Sequence, residues 1–396
     1  MDGRDKPGHD GEGRWKTDPS NVFVCFQPTI RMLTLDEDQS MLMDSARAAV
    51  AGDAPIGEYR KLRQSGGEGY SRGFWKRAAE MGWSGVLVPD KFGGAGFGVV
   101  GAGLIAREMA RTLAPSPFLS TAVLAASALA EGGSDVQRAE WLPRIAASET
   151  ILALAIDEGP HPVSTYATTA KAEGGFRLDG EKHFVIDGHV ADALIVAATS
   201  DGAPALFMAP TAARGLTRQT RILVDGRRVA TIKFDAVELP DTARLPGGAA
   251  LERTLDIGRA VVAAALCGVA EEALRRTLDY LKERKQFDRR IGSFQALQHR
   301  AALAHIAVEN AWSATLKALK GLDARANDAA FDVAVAKSKA SRTAEDVTAE
   351  CLQMHGGVGM TDAFDIGLFL KRARVDGVLF GDAAYHADRV ATMLGY

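Results

Sequence analysis

The chain has 396 residues, 47% of them hydrophobic, with 47 basic residues against 50 acidic ones for a net charge of −3. That length can bury a large core divided among about two or three compact units. The near-balance of charge argues against a general polyanion binder, so nucleic acid is not an expected partner. Cys25, Cys267 and Cys351 lie far apart, with neither disulfide-framework nor metal-ligand spacing. No metal is therefore expected, and a reducing cytoplasm fits best. The longest strongly apolar run, Ala260 to Ala270, falls well short of the roughly 20 residues that span a bilayer, so it reads as a buried helix and membrane insertion is not expected.

In chain order, residues 1–31 mix Gly, Asp, Lys and Pro without apolar periodicity or signal-peptide pattern, and read as a disordered or mis-started extension, with translation beginning at Met32. Residues 32–149 show three-to-four-residue apolar spacing and predict an all-helical domain, punctuated at Pro89 to Gly98 and at Pro115 and Pro117. In residues 150–246 short apolar runs such as Ile151–Ile156, Ala193–Ala198 and Ala205–Met208 alternate with turn residues, which predicts strands. Asp179-Gly180-Glu181 reads there as a hairpin turn. Residues 247–396 return to long helical patterns, over Leu251–Lys285, Ser293–Leu322, Ala329–Leu352 and from Asp376 to the end.

Gly96 to Gly101 spells a dinucleotide fingerprint, but it follows no strand and no acidic residue stands about twenty positions on, so it fails the context that gives the motif its chemistry. The eight histidines show no metal-ligand spacing, and no Gly-x-Ser-x-Gly nucleophile motif occurs. Three other segments carry more information. Gly82 to Gly96 ends a helix at Pro89 and opens a Gly-Gly loop. Tyr280 to His299 contains Arg284-Lys285-Gln286-Phe287, then Ile291 and Gln295, and Gln353 to Thr361 contains Gly356-Gly357 followed by Gly359.

In order and spacing these segments resemble the acyl-CoA dehydrogenase family. The resemblance implies an α+β multidomain fold: an N-terminal helical domain, a middle β-barrel and a C-terminal four-helix bundle. It also implies FAD. By resemblance Arg284 pairs with the cofactor's pyrophosphate across a subunit interface, where a guanidinium's fork matches two phosphate oxygens. Gln286, Phe287, Ile291 and Gln295 lie along the rest of the cofactor, and Gln353, Gly356 and Gly357 offer backbone that a phosphate or ribose can approach closely. Gly180 to Asp192 resembles the segment that meets the flavin ring, with Phe184 where the family has Trp and Ile186 where it has Thr. Ala155 to Pro160 also departs from the family's pattern.

Family chemistry removes an α proton from an acyl-CoA thioester while a hydride leaves the β carbon, and the proton goes to a Glu at one of two positions. In this sequence those positions hold Phe380 and Gly258, neither of which accepts a proton. The nearest carboxylates, Asp382 and Asp256, are weak candidates for a displaced base, and Asp256 with Arg259 is expected to border the CoA pocket. The reading is thus a flavin-dependent acyl-CoA dehydrogenase subunit of a divergent bacterial type, forming a homo-oligomer or a heterotetramer with a second acyl-CoA dehydrogenase-like chain that carries the base. An electron-transfer flavoprotein is the expected acceptor. The alternatives are a non-catalytic scaffold subunit and a flavin oxidase or monooxygenase on the same fold.

Overall fold

The computed structural model describes residues 34–248 and 250–396. The expectations for residues 1–31 lie outside them. The chain begins with helices α1 (Glu37–Asp53), α2 (Ile56–Gln64), α3 (Arg72–Glu80) and α4 (Gly98–Arg111). A π-helical stretch, Phe118–Ala125, leads into α5 (Ala126–Gly132) and α6 (Asp135–Ala146). Local sequence sets these starts. Asp36 and Gln39 form a reciprocal capping box on α1, as Ser134 and Gln137 do on α6, satisfying backbone donors that a helix leaves unpaired. The start of α4 is capped from far away: the Asp323 carboxylate accepts from the Val99 and Val100 N–H groups at 2.7 and 2.9 Å. The glycine string at 96–101 therefore opens a helix already occupied by an anion of the chain's own.

Strands follow: β1 (Leu152–Ala155), β2 (Thr169–Ala172), β3 (Phe176–Ile186), β4 (Ala193–Ser200), β5 (Ala203–Pro210), β6 (Leu216–Ile222), β7 (Arg228–Leu239) and β8 (Arg244–Leu245). They form a sheet in the order β6-β7-β3-β2-β4-β5-β8, with β1 parallel to β4. β4 is almost wholly buried, which is why its sequence is a continuous apolar run rather than an alternating one. The sheet path is open where a closed barrel was expected. β6 lies largely in solvent at one end, and the two-residue β8 ends the other.

The expected hairpin at Asp179-Gly180-Glu181 is instead the middle of β3, where a register shift against β7 marks an irregularity. Gly180 takes φ +145°, and a Cβ on it would lie 2.6 Å from Thr168 Oγ1, so the glycine answers a close approach within the sheet rather than a turn.

The last third contains α7 (Ala250–Glu283), a hairpin of β9 (Lys285–Gln286) and β10 (Arg289–Arg290), then α8 (Gln295–Asp323), α9 (Ala329–His355), α10 (Ile366–Val378) and α11 (Ala383–Met393). The run from Ala260 to Ala270 is buried apart from Ala265, because α7 is surrounded by α4, α8, α9 and α10. The helix expected from Asp376 to the end is two helices. Phe380 at φ 57° and Gly381 at φ 107° break it, and α10 begins ten residues earlier than that expectation.

Candidate functional site

The break between α10 and α11 brings Phe380 against the middle of α7. A Cβ on Gly258 would lie 3.6 Å from the Phe380 ring, so the two positions at which a base was expected meet at one point. Phe380 is buried. Around it the backbone is held by polar side chains from three helices. Arg259 Nε donates to Phe380 O at 3.4 Å, and His386 Nε2 lies 3.1 Å from the same oxygen. Lys337 Nζ donates to the carbonyls of Gly377 and Gly381 at 2.9 and 3.0 Å, and to Asp376 O at 3.3 Å. Burial pushes the Lys337 ammonium down to about 7. Burial and the neighbouring cations push His386 down to about 3, so its imidazole is neutral.

Neither candidate carboxylate is free. Asp256 is buried and accepts from Arg259 Nη1 at 2.7 Å, with Arg389 at 3.4 Å, while Asp382 caps α11 by accepting from Tyr385 N–H at 2.8 Å. Beside them lies a cavity of about 240 Å³ lined by residues that include Phe380, Arg259, Leu255, Tyr385, Asp157 and Glu252. Burial pushes the Asp157 carboxyl up to about 6, against the pull of Lys182. A second cavity, of about 100 Å³, is bordered by Leu379, Val261 and Val262, and reaches Ile186. Phe380 thus lines the larger cavity and its chain neighbour Leu379 the smaller.

The cofactor motifs come together at the far end of α7. Tyr280 stacks on His355, ring centres 4.4 Å apart, which ties the end of α7, with Arg284 one turn beyond Tyr280, to the end of α9, where the bend starts at Gly356. Arg284 is exposed and has no carboxylate partner among the described residues. Gly356 takes φ 66°, and neither it nor Gly357 has an atom within 4 Å of where a Cβ would sit. Gln353 and Gln295 are exposed, and Ile291 is half-buried. Gln286 bonds back to Lys285 O at 2.9 Å. Phe287 and Asp288, both at positive φ, make the two-residue turn of the β9–β10 hairpin, with the Phe287 ring 85% exposed at its tip. Phe184 is half exposed, at φ 51°, well away in sequence on β3.

The sequence pattern of the acyl-CoA dehydrogenase N-terminal domain matches residues 36–149, and that of the C-terminal domain matches residues 247–395. An acyl-CoA dehydrogenase of Mycobacterium tuberculosis, IpdE2, is 30% identical over 86% of this chain and 92% of its own. The chain belongs to the acyl-CoA dehydrogenase family. Solved relatives agree. A Tcur3481-Tcur3483 steroid ACAD variant is 31% identical with a TM-score of 0.85, covering 91% of this chain and 98% of that one. The ChsE4-ChsE5 complex from Mycobacterium tuberculosis is 26% identical with a TM-score of 0.84, again over 91% and 98%. No described helix is long and apolar enough to cross a membrane.

Within this acyl-CoA dehydrogenase fold the structure adds residues that sequence reasoning did not single out. Lys182, fully buried, pairs with Glu158 at 2.7 Å, and Glu158 also accepts from the N–H groups of Ala167 and Thr168 at 2.6 and 2.8 Å, fixing the loop that carries Asp157. Lys337 gives no warning in its helical pattern, where a single lysine reads as solvated. Asp225, Arg227, Arg372 and Asp376 form a buried ion network whose members lie about 150 residues apart in sequence. Nothing short of the fold brings them together.

Proposed function

We propose that this chain is a FAD-dependent acyl-CoA dehydrogenase subunit that oxidises an acyl-CoA thioester to its α,β-unsaturated product, with the proton-accepting carboxylate contributed by a second, acyl-CoA dehydrogenase-like chain. The observation that carries the reading is the contact of Gly258 with Phe380: both expected base positions converge, and neither side chain there takes a proton. Asp256 and Asp382 already serve as an ion-pair partner and a helix cap.

The residues at the end of α7 fit the cofactor. Arg284 offers an unpaired fork of donors, and Gly356 and Gly357 offer bare backbone with open space above it, the combination a pyrophosphate needs. Gln286, Phe287, Ile291, Gln295 and Gln353 would hold the rest of it, with Phe184 near the ring. FAD, when bound there, supplies the acceptor for the hydride leaving the β carbon. The chain's own part is to bind and orient the thioester. Arg259, held by Asp256, borders the cavity beside Phe380, where its charge suits the anionic CoA portion. Phe380 and Leu255 keep water from the reacting carbons.

The exposure of Arg284 and Phe287 supports a site completed by another subunit, in a homo-oligomer or a heterotetramer. The proposed enzyme is cytoplasmic, with an electron-transfer flavoprotein as its acceptor. The test is reduction of an artificial electron acceptor by the chain purified alone and with the chain it co-purifies with. Turnover only in the mixed assembly is expected. A flavin-free mixed assembly would favour the scaffold reading.

Asp157 supports a second reading, an intrinsic base. It shares the cavity with Phe380, and its raised carboxyl is suited to proton transfer near neutrality. Turnover by the chain alone that Asp157→Asn abolishes would establish it.

A further inference from the structure

The segment that carries the cofactor bend is held weakly from within. Gly356–Met360 forms a short 3-10 helix, in which Gly356, Gly357 and Gly359 have no side chain to pack. Beyond it the backbone bonds are local, from Thr361 N–H to Val358 O at 3.1 Å and from Phe364 N–H to Thr361 O at 3.3 Å. Glycine loses more freedom on ordering than any other residue, so such a bend keeps one shape only if contacts from outside hold it.

Two kinds of contact do so. Phe364 packs edge-on to Tyr280 and to His355, with ring centres 6.0 Å from each. The second kind is electrostatic and comes from the other end of the chain. Arg60 and Arg63 lie one turn apart on α2. Arg60 Nε and Nη2 both donate to Asp365 Oδ1, at 2.9 and 2.7 Å, and Arg63 Nη2 donates to the two Asp362 oxygens at 2.8 and 2.9 Å. From α7, Arg276 Nη1 donates to the other Asp365 oxygen at 2.7 Å. Arg276 precedes Arg284 by two turns, so the segment is tied to the same helix that carries the expected phosphate ligand.

The anchor on α2 is itself seated. Tyr59 Oη donates to Asp225 O, and the Arg63 stem crosses the β6–β7 turn, where a Cβ on Gly226 would sit 2.7 Å from Arg63 Cγ. Ion pairs as exposed as these add little to global stability. Three guanidinium groups and two carboxylates meeting on one glycine-rich segment do restrict its shape.

We propose that Arg60 and Arg63 are positioning residues for the flavin cofactor: they fix Asp362 and Asp365, and through them hold the bend at 356–359 in the shape in which its backbone meets the pyrophosphate. Ordering the bend beforehand removes an entropy cost from cofactor binding. This rests on the cofactor reading of that bend, and it makes flavin retention depend on an N-terminal helix as well as on the C-terminal bundle.

The experiment is release of FAD from the assembled protein, with any chain that co-purifies, followed as the rise in flavin fluorescence on dilution, together with amide exchange over residues 356–365. Arg60→Gln with Arg63→Gln is expected to release FAD roughly five- to twenty-fold faster, with faster exchange in that segment. Asp362→Asn with Asp365→Asn should match it, and all four substitutions together should add little more, as partners in one interaction do. Arg60→Lys with Arg63→Lys recovers part of the loss. Glu131→Gln, which breaks the similarly exposed pair with Arg253 between α5 and α7, controls for lost stability alone and leaves release unchanged. Release within about two-fold of native in either double variant, additive effects in the combined one, or equal acceleration in Glu131→Gln overturns the inference and leaves the cofactor site standing. A native assembly without flavin overturns both. Should the arginine variant fail to fold, the aspartate variant gives the answer by itself.

Discussion

Gly258 and Phe380 face each other across the bend between α10 and α11, with a Cβ on Gly258 only 3.6 Å from the phenyl ring. A carboxylate at either position would stand where the other points. Phe380→Glu is therefore expected to give the chain alone measurable dye-coupled oxidation of an acyl-CoA. Position 380 is at positive φ with either side chain, so no new backbone strain is introduced. Burying the charge should lower stability by roughly 2–4 kcal/mol, read as a fall in the denaturant midpoint.

Arg284→Ala should lose the cofactor. The guanidinium has no protein counterion among the described residues, so its removal costs little stability and leaves a bound pyrophosphate without its fork. Flavin absorbance per mole of the assembled protein should drop, with roughly ten- to hundred-fold weaker retention on dilution, while Arg284→Lys recovers part of it.

Lys337 gives a pH signature. Its ammonium is pushed down by burial from 10.5 to about 7, with Asp376 opposing. Between pH 7 and 10.5 the unfolded chain keeps a proton that the folded chain has shed, so this group's contribution to stability rises with pH across that window and is at its least favourable below pH 7. Lys182, lowered to about 8, acts in the same direction from 8 upward, so the native chain must be compared with Lys337→Met to isolate the effect. The variant should lose about 1–3 kcal/mol from the unpaired carbonyls of Asp376, Gly377 and Gly381. The gap should widen as pH rises from 7 to 10, measured as urea midpoints.

Gly180→Ala should destabilise by roughly 2–4 kcal/mol. The new Cβ would press on the Thr168 backbone, 2.7 Å from its Cα, at a φ of +145° that side chains rarely adopt. A fall in melting temperature checks it, with Asp179→Ala, which removes an acceptor from Ala236 N–H and a half-exposed pair with Arg177, as the milder comparison.

Gly180 also marks the limit of what sequence discloses. β4 and β5 were legible because strands buried on both sides are written as unbroken apolar runs, and α7, α8 and α9 because long amphipathic periods have few other readings. Asp179-Gly180-Glu181 looks like a turn because the cause of its glycine is Thr168, twelve residues earlier and just before β2. The helix from Asp376 onward was misread for a similar reason: the bend at Phe380 is held by Lys337, Arg259 and His386, donors from three helices. The motifs at Arg284 and Gly356 were local and readable. The ion pairs that hold the bend were not, since Arg60, Arg63, Asp362 and Asp365 meet only in the folded chain.

The most direct measurement is single-turnover bleaching of the flavin by acyl-CoA, made on this chain purified alone with FAD added and on the assembly it forms with its co-purifying partner. The account expects bleaching in the mixed assembly and none, or orders of magnitude slower, in the homomer. Fast bleaching by the homomer, unaffected by the partner, would contradict a base supplied from outside the chain.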